Sequence, residues 1–131
     1  RPAFLPVPQS TQILVVGDPG AVTRHAAAWI AAAGVATVRV SELDCYIETD
    51  WYAPPPDSTV GRTFPFRVKT RVWVDPGGTG RARAVIETVY RPVEDPSRAP
   101  RDRERAVPPE AGADVIARRL AAAIREKFEV L

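Results

Sequence analysis

The amino-acid sequence predicts an α+β domain in which an antiparallel, curved sheet packs against a C-terminal helix, in the order β-α-β-β-β-β-α. Three observations lead to this class. Apolar and polar residues alternate over residues 66–74, as in a strand with one buried face. DPGG follows at once, and such a cluster of turn residues is a strong hairpin signal. Near the C-terminus, apolar residues recur at four-residue steps, as on one face of a helix: Ile116, Leu120, Ile124 and Phe128.

Length and composition predict one soluble domain. The chain has 131 residues, of which 45% are hydrophobic and 26% charged. A net charge of +2 gives no large field to steer a polyanion. The longest apolar stretch, residues 26–38, is shorter than a membrane span. Methionine is absent, so we expect any signal peptide, lipid anchor or transmembrane segment to lie upstream of Arg1.

Two single residues limit the chemistry that the chain can hold. With one cysteine, Cys45, the chain forms no internal disulfide, and with one histidine, His25, it has no two-histidine metal motif. His25 lies in mid-helix with no serine or cysteine near it in sequence, so we interpret it as structural rather than catalytic. Cys45 begins a strand on its apolar face, which favours a buried small hydrophobe over a nucleophile. We therefore expect no catalytic residue, no metal and no cofactor.

The N-terminal half begins with an arm. Residues 1–10 contain three prolines and should be extended. The apolar side chains of this arm should lie either on a partner or on the chain's own domain of residues 11–131. A short strand, residues 12–16, precedes a helix over residues 19–33. Val22, Ala26, Trp29, Ile30 and Ala33 form the apolar face of that helix.

The corner GDPG at residues 17–20 resembles the start of a phosphate-binding loop. It is too short for one, no lysine follows it, and Asp18 places a negative charge where phosphate would lie. Asp18 is a good N-cap, Pro19 suits the first helical position, and Gly34 is a typical helix end. The corner is therefore predicted to be a capped strand-to-helix turn.

The middle of the chain predicts two hairpins. Strands over residues 35–40 and 45–52 flank a turn, with Trp51 in the core and Tyr52 at the exposed end of the second strand. A proline-rich loop, residues 52–65, leads to the strand over 66–74, which pairs with residues 82–90. Phe66, Val68, Thr70, Val72 and Val74 are predicted to point inward, and Arg67, Lys69, Arg71 and Trp73 outward.

The last part of the chain is a long connection followed by the terminal helix. Residues 91–110 contain five arginines, five acids and five prolines, too polar for a core. We expect a mobile loop or a polar surface for a partner. The helix covers residues 111–128. It should lie across the apolar face of the sheet, with the first helix near an edge, and its apolar residues should meet Phe66, Val68, Val72, Ile47 and Trp51.

Charged residues on the predicted sheet leave alternatives open. Glu48 and Asp50 share a strand face at about 7 Å, a spacing that suits a glycosidase pair. The basic residues of the next strand favour a ladder of opposite charges instead. That basic stripe, with Trp73, Arg81 and Arg83, also fits single-stranded nucleic acid. The acidic neighbouring strand and the near-neutral chain favour a salt-bridged face.

The element order resembles the helix-grip modules of bacterial envelope lipoproteins, the BamC-like group associated with outer-membrane assembly. The resemblance covers Thr11 to Phe128 and rests on the helix ending at Gly34, on CYIETDWY, on TFPFRVKTRVWVDPGGTGRARAVIETVYRPVEDPS and on the terminal amphipathic helix. The group has no catalytic motif, so no residue role is carried over. The resemblance implies a periplasmic accessory subunit that binds other proteins. Soluble caps of this kind also occur on large membrane assemblies, including photosynthetic reaction-centre complexes.

The function expected from the sequence is a non-enzymatic scaffolding subunit of a membrane-associated complex, whose partners are other protein subunits rather than nucleic acid or small-molecule substrates. Membrane contact would come through a partner or an upstream anchor. The alternatives are a helix-grip module that binds a small ligand between helix and sheet, with small residues such as Ala113, Ala117 and Ala121 facing the cavity, and single-stranded nucleic-acid binding. The candidate docking residues are Phe4, Leu5, Val7, Tyr52, Pro54, Pro55, Pro56, Arg98 and Arg101.

Overall fold

The chain folds into one antiparallel sheet with both helices on the same face. The computed structural model describes residues 1–61, 63–92 and 94–131. Arg62, in the predicted proline-rich loop, and Val93, in the predicted 91–110 loop, lie outside the described residues. The elements are β1 Thr11–Val16, α1 Pro19–Ala32, β2 Thr37–Ser41, β3 Tyr46–Thr49, β4 Val68–Pro76, β5 Arg81–Tyr90, β6 Arg105–Ala106 and α2 Val115–Lys127, with short 3-10 turns at Pro100–Arg103 and Pro109–Ala111.

The strand order confirms the predicted α+β class. The order across the sheet is β1-β5-β4-β3-β2, and every pairing is antiparallel. β6 pairs with the last two residues of β5, beyond the part of β5 that pairs with β1. Since β4 occupies the other side of β5 along its length, β1 and β6 share one side of it. The β4–β5 hairpin is the centre of the sheet.

The GDPG corner is a capped turn, as predicted. Asp18 is extended, and its carboxylate accepts a hydrogen bond of 3.1 Å from the Ala21 N–H, while Pro19 opens α1. Gly34 follows the helix with a φ of 80°, a conformation that glycine adopts without strain. On α1, Val22, Ala26 and Ile30 are buried. Ala33, predicted on the apolar face, is exposed, and Thr23 is buried in its place.

The two helices divide the apolar face of the sheet between them, which corrects the predicted arrangement. α2 lies over β1 and β5, whereas α1, expected near an edge, covers β3, β4 and β5. Ile116, Leu120 and Ile124 share one core with Ile47 and Val72, as predicted. Of the other predicted contacts, Phe66 is exposed, Trp51 lies outside that core, and Val68 joins a smaller cluster with Val107 and Ala113.

Trp51 and Tyr52 have exchanged their predicted places. β3 ends at Thr49, so the strand alternation does not continue to these residues. The Trp51 ring lies against the cations of Lys69 and Arg91, at 5.3 and 4.5 Å, on the face away from the helices. Tyr52 packs against the core, with its hydroxyl 2.7 Å from that of Thr70.

A third layer covers the face that was predicted to be solvated. The N-terminal arm and residues 100–104 pack over β4 and β5, where they cover Arg71 and Trp73. The buried Lys69 lies against the Trp51 ring on the same face. The arm therefore lies on its own domain. Residues 91–110, expected to be too polar for a core, contribute buried Glu104 and Val107 and the strand β6. Glu87 is fully buried inside a continuous β5.

Among the described residues, no helix has the length and apolar character that crossing a membrane requires.

Leu120 tests the packing of α2. Its side chain is fully buried, so Leu120→Asp places a carboxylate in the core without a partner, at a cost of several kcal/mol. We expect the variant to be unfolded at 25 °C, because domains of this size have a total stability of about 5–15 kcal/mol. Circular dichroism melts measure this. The matched control is Ala122→Asp at an exposed position of α2, which should melt within a few degrees of the parent. A Leu120→Asp variant that melts like the control contradicts the packing.

Candidate functional site

Six charged side chains form a closed ionic network on the face of the sheet opposite the helices. The three cations are Lys69, Arg71 and Arg101, and the three carboxylates are Glu48, Glu87 and Glu104. They come from β3, β4, β5 and the segment before β6, which are adjacent only in the folded chain. The charges balance, as burial requires.

Arg71 is the centre of this network and contacts all three carboxylates. Its Nε donates to Glu48 at 3.1 Å and its Nη1 to Glu87 at 2.9 Å. Both Nη atoms donate to Glu104, at 2.7 and 2.8 Å, in the bidentate geometry that makes such pairs strong. The predicted ladder between Glu48 and the basic strand is therefore present, because Lys69 also donates to Glu48 at 2.8 Å.

Arg101 joins the network to the N-terminal arm. It donates to both oxygens of Glu87, at 2.8 and 3.0 Å, and to Glu104 at 2.9 Å. Its Nη2 also donates to the backbone carbonyl of Leu5 at 2.7 Å. One guanidinium thus fixes β5, the segment before β6 and the arm together.

The arm closes over the network through Phe4 and Val7. The Phe4 ring lies 4.2 Å from the Arg101 guanidinium and 5.0 Å from that of Arg71, and its edge meets Trp73. The Val7 N–H donates to Glu87 at 2.9 Å. A ring over two guanidinium groups replaces the water that would otherwise solvate them.

Two carboxylates of the network, Glu48 and Glu104, have lowered pKa values and are poor proton donors. Burial alone raises the pKa of Glu48, but hydrogen bonds from Lys69 and Tyr46 and the charge of Arg71 lower it to about 2. For Glu104, burial is likewise outweighed by hydrogen bonds from Arg71 and Arg101, which hold its pKa below the usual range. A general acid at neutral pH needs a raised pKa instead. The network therefore holds the sheet, the segment before β6 and the N-terminal arm together.

Two tyrosines, in contrast to these carboxylates, are held in their neutral forms. Burial and then the hydrogen bond to Glu48 raise the pKa of Tyr46, whose hydroxyl donates to that carboxylate at 2.6 Å. Burial raises the pKa of Tyr52 to about 12. Neither phenol is prepared for ionisation near neutral pH, so neither provides a nucleophile.

The space between helix and sheet is narrow. Three alanines of the ligand-binding alternative are buried in clusters with residues of the sheet: Ala113, Ala117 and Ala121. The pocket beside the start of α2 has a volume of about 130 Å³, less than the several hundred Å³ typical of ligand sites. A larger space of about 510 Å³ lies on the opposite face, between the arm and the outer residues Trp73, Arg83 and Val85.

His25 and Cys45 have structural surroundings. His25 lies half-buried between the helices, with its ring edge-on to Phe128, and its Nε2 has no hydrogen-bond partner among the described residues. Cys45 lies in the β2–β3 turn with a φ of 50°, rather than in the predicted strand, and its thiol donates to the Glu42 carbonyl. The described residues contain no group of three or more histidine, cysteine or acidic side chains placed to hold a metal ion.

The predicted docking residues divide into two sets. Four of them belong largely to intramolecular contacts: Phe4, Val7, Tyr52 and Arg101. The others lie partly or fully at the surface, where they stay candidates for docking: Leu5, Pro54, Pro55, Pro56 and Arg98. Lys69, Arg71 and Trp73 of the basic stripe are buried, so the sheet does not offer them to nucleic acid.

A surface of exposed apolar residues lies on the β2–β3 hairpin, which we name the hairpin patch: Val38, Val40 and Leu43. Their exposed fractions are 56%, 47% and 95%. The sequence analysis assigned these residues to an ordinary strand and turn. The signal for the patch was available in VRVSEL, where three large apolar residues lie within six positions, but alternation alone does not reveal which strand is an edge.

A second surface, made of aromatic rings, was also not predicted from the sequence. Three rings pack against one another in tilted and edge-on arrangements, with ring centroids 5.2 to 5.6 Å apart: Phe64, Phe66 and Tyr90. A shallow pocket of about 410 Å³ adjoins them, with Pro65 and Pro108 in its lining. The motif TFPF contains two of these rings, Phe64 and Phe66. The alternation of residues 66–74, however, predicted that Phe66 points into the core.

The comparisons with known proteins give no family. No family model matches the chain, and no curated protein matches it.

Arg71→Ala tests the network. Removal of this guanidinium leaves three buried carboxylates short of a partner, so we expect the free energy of unfolding to fall by about 3–5 kcal/mol. Urea denaturation at pH 7 measures it. Arg81→Ala, at an exposed position of β5, is the matched control and should change stability by about 0.5 kcal/mol or less. Equal losses in the two variants would show that the network contributes nothing beyond a surface arginine.

Acid should weaken the fold through Glu48. The folded-state pKa of about 2 lies below the unfolded value of about 4.3, so the ionised carboxylate stabilises the fold above the unfolded pKa. This contribution is lost as the pH falls through the folded value. We expect the free energy of unfolding to decrease between about pH 5 and pH 2, and to decrease less steeply in Glu48→Gln. Parallel profiles for the two proteins would exclude Glu48 as a source of the pH dependence.

Proposed function

We propose that this chain is a non-catalytic accessory subunit that binds other proteins in a membrane-associated complex, on the periplasmic side of a bacterial envelope. The hairpin patch carries the proposal. Val38, Val40 and Leu43 expose apolar surface within six consecutive positions of the hairpin at one edge of the sheet. A cluster of this kind on a small soluble domain is typical of a surface that another protein covers.

The charged groups support binding over catalysis. A catalytic site needs a nucleophile, base or acid that is free to meet a substrate. In the network, each carboxylate accepts hydrogen bonds from at least two cations or from a cation and the arm, and the pKa values of Glu48 and Glu104 are lowered. The exposed side chains of the hairpin patch are apolar and offer area instead of chemistry.

The envelope setting rests on the sequence pattern. The resemblance to helix-grip modules of envelope lipoproteins extends over Thr11 to Phe128, and the sheet with its C-terminal helix agrees with that pattern. Rigid proline-rich segments beside exposed apolar residues suit docking, because they lose little conformational freedom on binding. Pro54, Pro55 and Leu5 are such positions.

Recovery of the chain from solubilised native membranes tests the proposal. A C-terminally tagged chain should elute in a particle much larger than the monomer, with partner proteins at fixed stoichiometry, and should be accessible to protease added to spheroplasts. Leu43→Asp, which puts a charge in the hairpin patch, should reduce partner recovery about tenfold or more, equivalent to about 1.4 kcal/mol.

Ala122→Asp is the control for this experiment, because it adds the same charge on the exposed side of α2. It should recover partners like the parent chain. A parent chain that elutes from membranes only as a monomer overturns the proposed function. Equal recovery by Leu43→Asp and the parent overturns the role of the hairpin patch.

A further inference from the structure

The two edges of the sheet differ in how the chain covers them. Along β1, the C-terminal residues form an antiparallel bridge: the Val16 N–H donates to the Glu129 carbonyl at 2.8 Å and the Leu131 N–H to the Leu14 carbonyl at 3.0 Å. Beyond β1, β6 covers the end of β5. At the other edge, β2 pairs with β3, and no described strand lies on its outer side.

β2 lacks most of the features that keep an edge strand from pairing. Natural edges are often protected by proline, lysine or a covering loop, and β2 has the sequence TVRVS. Its one charge, Arg39, is bound to Asp44 in the adjacent turn at 3.0 Å. A register shift between Thr37 and Arg39 leaves the regular part of the strand at its second half. This part, with Val40 at its centre, is open to a further strand.

The helix layer stops short of β2. Val40 pairs with Ile47, and paired residues of antiparallel strands point to the same face, so Val40 faces the helix side. Ile47 is fully buried there, whereas Val40 is 47% exposed. α1 packs on β3, β4 and β5. An uncovered apolar strip therefore runs along the edge of the sheet, beside α1.

The lining of this strip consists of small side chains. Arg24 of α1 pairs with Glu42 in the β2–β3 turn, which shows which side of the helix is turned toward the hairpin. Helical spacing puts Ala27 and Ala31 on that same side. Val40 on the strand and the alanines on the helix are small, so larger apolar side chains from another chain would add buried contact area here.

We infer that β2 binds an extended segment of a partner protein, which adds a seventh strand to the sheet. Alternate residues of the segment are large and apolar and cover Val40 beside α1. A residue on the other face is acidic and pairs with Arg39, whose side chain is 47% exposed and keeps free N–H groups beside its bond to Asp44. Backbone hydrogen bonds supply the affinity and the alternate side chains the specificity. This inference rests on the proposed function, since it specifies the kind of partner.

A second copy of this chain fits the edge less well. Two β2 strands related by a two-fold axis at Arg39 would bring the two arginines opposite each other, which is destabilising. With the axis at Val40, Arg39 meets serine and the charges do not clash. Each α1 would still lie over its own β3, β4 and β5, so neither copy brings a side chain large enough to cover the strip.

Selection from a displayed library of random seven-residue peptides tests the inference, with the whole chain as bait. The selected peptides should alternate apolar and polar residues, with an acid among the polar ones. Nuclear magnetic resonance titration of the chain with a selected synthetic peptide should shift the amides of residues 37–43. Val40→Lys, which points a charge into the strip, should weaken binding about tenfold or more.

The matched control is Val16→Lys, at an exposed valine on the edge that the C-terminus covers, and it should bind peptide like the parent. Peptides without alternation, peptides that shift residues 63–66 instead, or a failure to select any peptide would overturn the inference. Concentration-dependent shifts of β2 without peptide, abolished by Val40→Lys, would show a second copy as the occupant and would also overturn it.

Membrane recovery separates this inference from the proposed function. If Val40→Lys and the parent recover the same partners equally while Leu43→Asp does not, strand addition is wrong and the subunit role stands. If the parent recovers no partner, the subunit role fails whatever the peptides show.

Discussion

The structure depends on the arginine at the centre of the sheet. Arg71 lies on the middle of β4, where three carboxylates from three different parts of the chain converge on one guanidinium. Without it, Glu48, Glu87 and Glu104 would repel one another in a space closed to water. With it, a face that carries charge on adjacent strands becomes a buried layer. The arm and residues 100–104 can then pack on this face while the helices occupy the other, so that the centre of the sheet is covered on both sides.

The sequence was informative wherever a local pattern determines the structure. The four-residue repeat of α2, the DPGG hairpin and the Asp18 cap each depend on residues within a few positions, and each is present. The buried network could not be predicted in this way. Arg71 looked like a solvated strand residue because its partners Glu87 and Glu104 lie 16 and 33 positions away. The predicted position of Trp51 was wrong because β3 ends at Thr49, and the alternation of side-chain faces ends with the strand.

Coverage of both faces also determines where binding surface remains. A two-layer domain exposes one face of its sheet, and polar residues on that face are available to a ligand. Here that face is closed, so its cations bind internal acids. The surface that remains lies at the two edges of the sheet, and the chain covers one edge but not the other. Glu129 to Leu131 pair with β1, whereas β2 carries exposed valines. This asymmetry was invisible in the sequence, because strand order across the sheet is a tertiary property.

The attachment of the arm also constrains the order in which the chain can fold. Leu5 and Val7 precede their partners, Arg101 and Glu87, by 96 and 80 positions. β1 likewise cannot form its strand pairing until β5 has been synthesised. The β4–β5 hairpin is the part whose contacts are local, and contacts between distant residues form slowly because a long loop must close first. During synthesis the arm therefore stays without these native contacts until β5 and Arg101 have been translated, so its apolar residues are exposed to solvent for that period.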